Sequence, residues 1–144
     1  MIHWWFLFRL NTKLLMAAIA EAESRTSGEI RIFVSHKKCP LPMDAATEQF
    51  QKLGMTKTKE RNGVLLFIAP RSRNFAIVGD LGIHEKCSEA FWQELAATMS
   101  QAFREGRLTQ GLIQTVQRAG TLLAKHFPCQ NDDRNELPNE IVRG

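Results

Sequence analysis

Apolar residues along the chain recur with two different periods. Leu10, Leu14, Leu15, Ala18, Ile19 and Ala22 fall on one face of a helix, which predicts an amphipathic helix from Asn11 to about Arg25. Asn11 or Thr12 supplies its N-cap, and Thr26-Ser27-Gly28 stops it. Glu29–Ser35 then alternates, with Ile30, Ile32 and Val34 on one side and Arg31, Phe33 and Ser35 on the other. That pattern predicts a strand with one less buried face. Pro40 and Pro42 break the chain. The next helix is predicted over Asp44–Leu53, with Ala46, Phe50 and Leu53 inward and Gly54 in the position of a helix-ending glycine.

The centre of the chain is Arg61–Gly82. Two short apolar runs, Val64–Ala69 and Phe75–Val78, flank a polar turn at Pro70–Asn74, the signature of a hairpin. Val64, Leu66 and Ile68 face one side, and Leu65, Phe67 and Ala69 the other. Because both sides are apolar, both faces of the sheet are expected to be covered. Gly82 turns the chain into helical sequence. Phe91, Leu95, Met99, Ala102 and Phe103 mark a helix from about Ser88 to Glu105, ended by Gly106. Leu112, Val116, Ala119, Leu123 and Phe127 mark a last one from about Thr109, closed by Pro128. Gly120 costs that helix about 1 kcal/mol relative to alanine, which implies close packing there. The polar tail from Cys129 to Gly144 holds one extended piece, Leu137–Val142.

Strand, helix, strand in this order forms a βαβ unit, whose strands are parallel and whose crossover is right-handed. The expected architecture is α/β: a small mixed sheet of three to four strands, one βαβ unit plus a hairpin, with helices on both faces. A single domain over residues 1–128 is followed by a tail, 129–144. A chain of 144 residues is large enough to bury a core without staples. Three cysteines, Cys39, Cys87 and Cys129, with no CxxC pair argue against a disulfide framework and for a reducing, cytoplasmic compartment.

The opening MIHWWFLFRL is too short an apolar run to span a bilayer, which takes about 20 residues. It also lacks the basic start and small-residue cleavage site of a signal peptide. Three readings stay open for this aromatic segment, residues 1–10: a lid docked on the domain, an interfacial anchor making peripheral membrane contact, or a start-site artefact. The formal charge is +4. Lys52, Lys57, Lys59, Arg61, Arg71 and Arg73 face a single acid, Glu60, over one short segment. Such a basic edge attracts phosphate or nucleic acid. Its one aromatic, Phe67, is assigned to the core, so nucleic-acid bases have nothing to stack on and a solvated edge is the plainer reading.

Topology also gathers chemistry. Parallel first and second strands place Gly28–Glu29 and Asn62–Gly63 on one edge, and the antiparallel third strand returns Val78-Gly79-Asp80 to it. Glu29, Arg61, Asn62, Asp80 and His84 are thereby expected to form a cluster. Each also has a plainer role. Asp80 caps the following turn, and Asn62-Gly63 leads into a strand. Glu29 and Arg31 are solvated or Glu29 pairs with Arg61, and His84 lies on the surface. Arg61 opposes a cation and suits a phosphate or carboxylate. Nucleotide-binding glycine loops, HExxH and GxSxG are missing from the sequence, and no histidine–cysteine spacing suits zinc.

Four segments, Thr26-Ser27-Gly28-Glu29-Ile30, Arg61-Asn62-Gly63-Val64-Leu65-Leu66, Val78-Gly79-Asp80-Leu81-Gly82-Ile83, and Phe103 with Gly106 and Gly111-Leu112, together resemble the TPM domain family. Its better-known members include a thylakoid lumen protein and bacterial relatives. The resemblance implies a Rossmann-like α/β sandwich. It also implies acid phosphatase activity and divalent-cation binding as in some members, or accessory roles near membrane complexes as in others. Many members carry an Asp directly before Asn-Gly-Val-Leu-Leu, where this chain has Arg61. A later Gly-Tyr-Gly-Leu-Glu is replaced by Gly79-Asp80-Leu81-Gly82-Ile83-His84. A carboxylate is lost and a guanidinium gained where cations bind. The leading expectation is therefore a soluble accessory module that binds a small anion or a partner carboxylate at Glu29, Arg61, Asn62, Asp80 and His84. The rival is a Ca- or Mg-assisted phosphatase: Asp80 and Glu29 hold the cation, Arg61 stabilises phosphoryl oxygens and His84 is the general acid.

Overall fold

The computed structural model describes residues 10–129 and 141–143. Four strands form one mixed sheet in the order β3-β2-β1-β4: β1 Glu29–Val34, β2 Gly63–Ala69, β3 Asn74–Gly79 and β4 Ile141–Arg143. The helices are α1 Thr12–Glu23, α2 Pro42–Lys52, α3 Leu81–Lys86, α4 Glu89–Glu105 and α5 Leu108–His126. β1 and β2 are parallel, Glu29 opposite Gly63 and Val34 opposite Ile68. β2 and β3 form the expected hairpin, from Val64 opposite Gly79 to Ala69 opposite Asn74.

Every residue of β2 is buried, and its two faces feed two cores. Val64, Leu66 and Ile68 pack with α1, α4 and α5. Leu65, Phe67 and Ala69 pack with Phe33 of β1, Ala46 and Phe50 of α2, and Met55. The rings of Phe33 and Phe67 stack at 5.5 Å, an offset arrangement that aromatic pairs favour. Gly120 lies against α1: a Cβ there would come within 2.8 Å of the Ala22 Cβ. The expected close packing is present.

Several local expectations are corrected. β1 has no less buried face: Glu29 and Arg31 are 3% and 4% exposed. The Arg31 guanidinium donates to the Leu53 carbonyl at the end of α2 (3.3 Å), where a helix dipole favours a cation. α2 begins at Pro42, two residues early, because proline at a first helical position gives up an N–H that has no partner there. Asn11 is the N-cap of α1, accepting from the Leu14 N–H at 3.1 Å. The Gly82 turn proves to be a short helix, α3, capped by Asp80. The six basic residues from Lys52 to Arg73 do not share an edge. β2 runs between them, leaving Lys52, Lys57, Lys59 and Arg61 at the amino ends of β1 and β2 and Arg71 and Arg73 at the carboxyl ends.

From the tail, Ile141–Arg143 adds to the sheet as β4, parallel to β1 with Ile141 opposite Ile32. The rest of the extended piece expected over Leu137–Val142, and the aromatic segment up to Arg9, lie outside the described residues. No described helix is long and apolar enough to cross a membrane.

Candidate functional site

The amino ends of β1 and β2 meet the carboxyl end of β3, as topology requires. The Glu29 N–H donates to the Asn62 carbonyl (3.3 Å), and the Asp80 N–H to the Gly63 carbonyl (3.0 Å). The backbones of Glu29, Asn62 and Asp80 are therefore neighbours. Glu29 and Asp80 flank Gly63 from opposite sides, about two strand spacings or roughly 10 Å apart.

The side chains divide into two groups. Arg61 grips Asp80 with both ends of its fork, Nε to Oδ2 at 2.6 Å and Nη2 to Oδ1 at 2.8 Å. Asp80 Oδ1 also accepts from the Leu81 N–H at 2.8 Å, which caps α3. The carboxylate is 5% exposed and the guanidinium 42%. Backbone supports the pair, since the Gly82 N–H donates to the Arg61 carbonyl at 2.8 Å. A Cβ on Gly82 would come within 2.2 Å of the Glu60 carbonyl, so only glycine permits this approach. Arg61 itself sits in the left-handed region at φ 53°, an uncommon conformation for a non-glycine residue.

Glu29 belongs to the second group and does not pair with Arg61. Its carboxyl group hydrogen-bonds to Glu23, at the end of α1. Glu23 in turn accepts from the Ile30 N–H at 2.8 Å, on the side of β1 where β4 pairs only from Ile32 onward. Burial, reinforced by the neighbouring Glu29 carboxylate, pushes the Glu23 carboxyl group up to about 9, against the pull of the Ile30 N–H and Arg31. Desolvation and a like charge both disfavour the ionised form of a carboxyl group, and here they favour a protonated Glu23. Sequence reading missed Glu23 because it lies at the helix end, outside every motif. The only available signal was its place six residues before Glu29, across a turn.

Asn62, 1% exposed, donates through Nδ2 to Ser27 Oγ and Glu60 Oε2, both at 3.1 Å. Its Oδ1 is buried and meets no donor among the described residues. His84 is exposed, and its ring stacks on Trp92 at 5.0 Å.

Arg61, Asp80 and His84 stand at the head of a cleft of about 730 Å³ that follows the outer edge of β3. Met43, Thr47 and Phe50 of α2 form one wall, and Trp92 and Ala96 of α4 the other. The floor is the strand from Phe75 to Gly79. Since Asp80 donates inward to β2, alternation along an antiparallel strand turns the N–H and C=O groups of Phe75, Ile77 and Gly79 outward into the cleft. A Cβ on Gly79 would strike Trp92 at 2.2 Å, so this glycine lets the indole close over the strand end.

Glu29 and Asn62 are excluded from the cleft. Of the five residues expected to act together, three face it. Asp80 is committed to Arg61 and the cap, and Glu29 to Glu23, so the two carboxylates do not converge on one point. No group of three or more metal-ligating side chains occurs among the described residues.

Fold and site together define an α/β sandwich in which one sheet edge, without a strand partner among the described residues, lines a cleft between two helices with an arginine–aspartate pair at its head. Over residues 6–122 the chain matches the TPM domain family, and it belongs to that family. The BA42 protein of the psychrophilic bacterium Bizionia argentinensis is similar along 92% of both chains, with 39% identity and a TM-score of 0.87. The N-terminal domain of the cg2496 protein of Corynebacterium glutamicum, at 14% identity and a TM-score of 0.59 over 92% of this chain and 77% of that one, shares the fold. No curated protein matches.

Proposed function

We infer that this TPM domain is a partner-binding accessory module, and that its ligand is an extended peptide segment added as a further strand along β3. The observation that carries this reading is the cleft itself: a strand edge that pairs with no other strand among the described residues, recessed between apolar helix walls. In strand addition the main chain supplies affinity and alternate side chains supply selectivity. Here one set of ligand side chains would turn toward Phe50 and Met43, and the other toward Trp92 and Ala96.

Arg61 gives the ligand its charge. The pair with Asp80 uses two of the five guanidinium N–H donors, and the remaining three belong to a half-exposed group at the head of the cleft. They suit a carboxylate on the peptide, a side chain or a chain end. The phosphatase reading asks more of these residues, since Asp80 and Glu29 would have to leave their partners to hold a cation.

Peptides selected from a random display library against the intact chain test this. Bound peptides should shift the amide NMR signals of Phe75, Ile77 and Gly79, and Arg61→Ala should weaken acidic peptides by about tenfold, the worth of one charge-assisted hydrogen bond. Selected peptides that leave those three amides unmoved would overturn the reading. Phosphomonoester turnover with Mg²⁺ or Ca²⁺ that Asp80→Asn abolishes would establish the hydrolase instead.

A further inference from the structure

The opposite end of the sandwich carries a different chemistry. At the carboxyl ends of β1 and β2, four segments lie together: the entry to α1, the β1–α2 loop, the β2–β3 turn and the α4–α5 turn. The Cys39 N–H donates to Ser72 Oγ at 2.7 Å and Asn74 Nδ2 to the Cys39 carbonyl at 3.2 Å, which ties the β1–α2 loop to the β2–β3 turn. Phe75, just after that turn, stacks on Phe103 near the end of α4 at 5.6 Å. The Asn11 N–H donates to Thr109 Oγ1 at 3.3 Å, joining the starts of α1 and α5.

This end is strongly basic. Lys37, Lys38, Arg71, Arg73, Arg104 and Arg107 are all exposed on it, with Asp44 and Glu105 as the neighbouring acids. The amino end of the sheet, by contrast, sets Lys52, Lys57, Lys59, Arg61 and Lys86 against Glu48, Glu60, Asp80, Glu85 and the buried Glu23 and Glu29. The basic end also exposes aliphatic side chains: Leu41 is 68% exposed, and Met43 and Leu14 are each 52% exposed. Leu41 is the N-cap residue of α2, three residues after Lys38.

We propose that this end of the sandwich docks on the surface of an anionic lipid bilayer. Basic groups meet lipid headgroups, while Leu41 enters the interface. The charge complements an acidic membrane surface, which attracts each nearby Lys or Arg by about 1 kcal/mol, or roughly fivefold in affinity. Exposed leucine and methionine decide between lipid and nucleic acid. Bases need aromatic platforms, and Phe75 and Phe103 stack on each other rather than stand open. Leu10, where the described fold begins, lies at this end as well. Docking here leaves the β3 cleft head, at the other end, turned toward solvent.

Flotation of the intact chain with vesicles tests the proposal, using phosphatidylcholine alone and phosphatidylcholine mixed with phosphatidylglycerol. Binding should require the anionic lipid and weaken with added salt. It should fall by about tenfold or more in Lys37→Glu/Lys38→Glu, and fall in Leu41→Ser with the circular dichroism spectrum unchanged. Equal binding to neutral vesicles, or full binding by both variants, would overturn it. So would binding to oligonucleotides but not to vesicles.

Discussion

Two carboxyl groups show what a sequence can and cannot disclose about a single residue. Asp80 was legible: an acid before a glycine turn at a strand end is a cap, and a cap it is. Glu23 was not, because its chemistry comes from burial and from Glu29 meeting it across a turn, neither of which leaves a pattern. Its behaviour yields a sign-definite prediction. In the unfolded chain Glu23 ionises near 4.5, and in the folded chain near 9. Its contribution to stability is therefore full below about 4.5, declines as the pH rises, and is lost through about 9. Glu23→Gln mimics the protonated form: its carbonyl still accepts from Ile30 and its amide donates to Glu29. Thermal unfolding across that range should show the natural chain losing more Tm with rising pH than Glu23→Gln does. Parallel curves would mean that Glu23 does not hold a proton.

Among whole elements, the four longer helices, the hairpin and the parallel pair followed from periodicity, since a stripe of apolar residues has only one way to be buried. The misjudged face of β1 has a physical cause. Arg31 looks like a solvent-facing residue in an alternating strand, yet the end of α2 presents a carbonyl that satisfies it. Helix packing is set by glycines that periodicity cannot explain. A Cβ at Gly111 on α5 would approach the Ala102 Cβ of α4 to 1.9 Å. Gly111→Ala gains about 1 kcal/mol of helix propensity but forces two backbones apart, which costs about 1–3 kcal/mol or more. The variant should be less stable in urea. Adding Ala102→Gly should recover much of the loss, and a double variant as unstable as the single one would show that the contact does not limit packing.

The whole molecule has two ends of unlike character and two sheet edges of unlike fate. Charge counted along the sequence suggested one basic edge over Lys52–Arg73. The fold divides that segment between opposite ends and gathers Lys37, Lys38, Arg104 and Arg107 with its last two arginines, an arrangement that only tertiary structure reveals. Of the edges, β3 has no strand partner among the described residues, whereas β1 is covered by β4. Deleting residues 130–144 should lower stability by about 2–3 kcal/mol, from lost apolar burial and a lost ladder. It should also promote self-association through the bared strand. Sedimentation and denaturant titration would check both, and an unchanged monomer of unchanged stability would mean that β4 adds nothing to the fold.

Because Ile32 waits for Ile141, the sheet is finished out of the order in which it is translated. β1, β2 and β3 are available early, but β1 keeps one flank bare until the ribosome has passed Arg143, a delay of seconds at about 5–20 residues per second. For that interval the flank of β1 lacks the strand that later pairs with it, and an unpaired strand edge is a template for association with other chains.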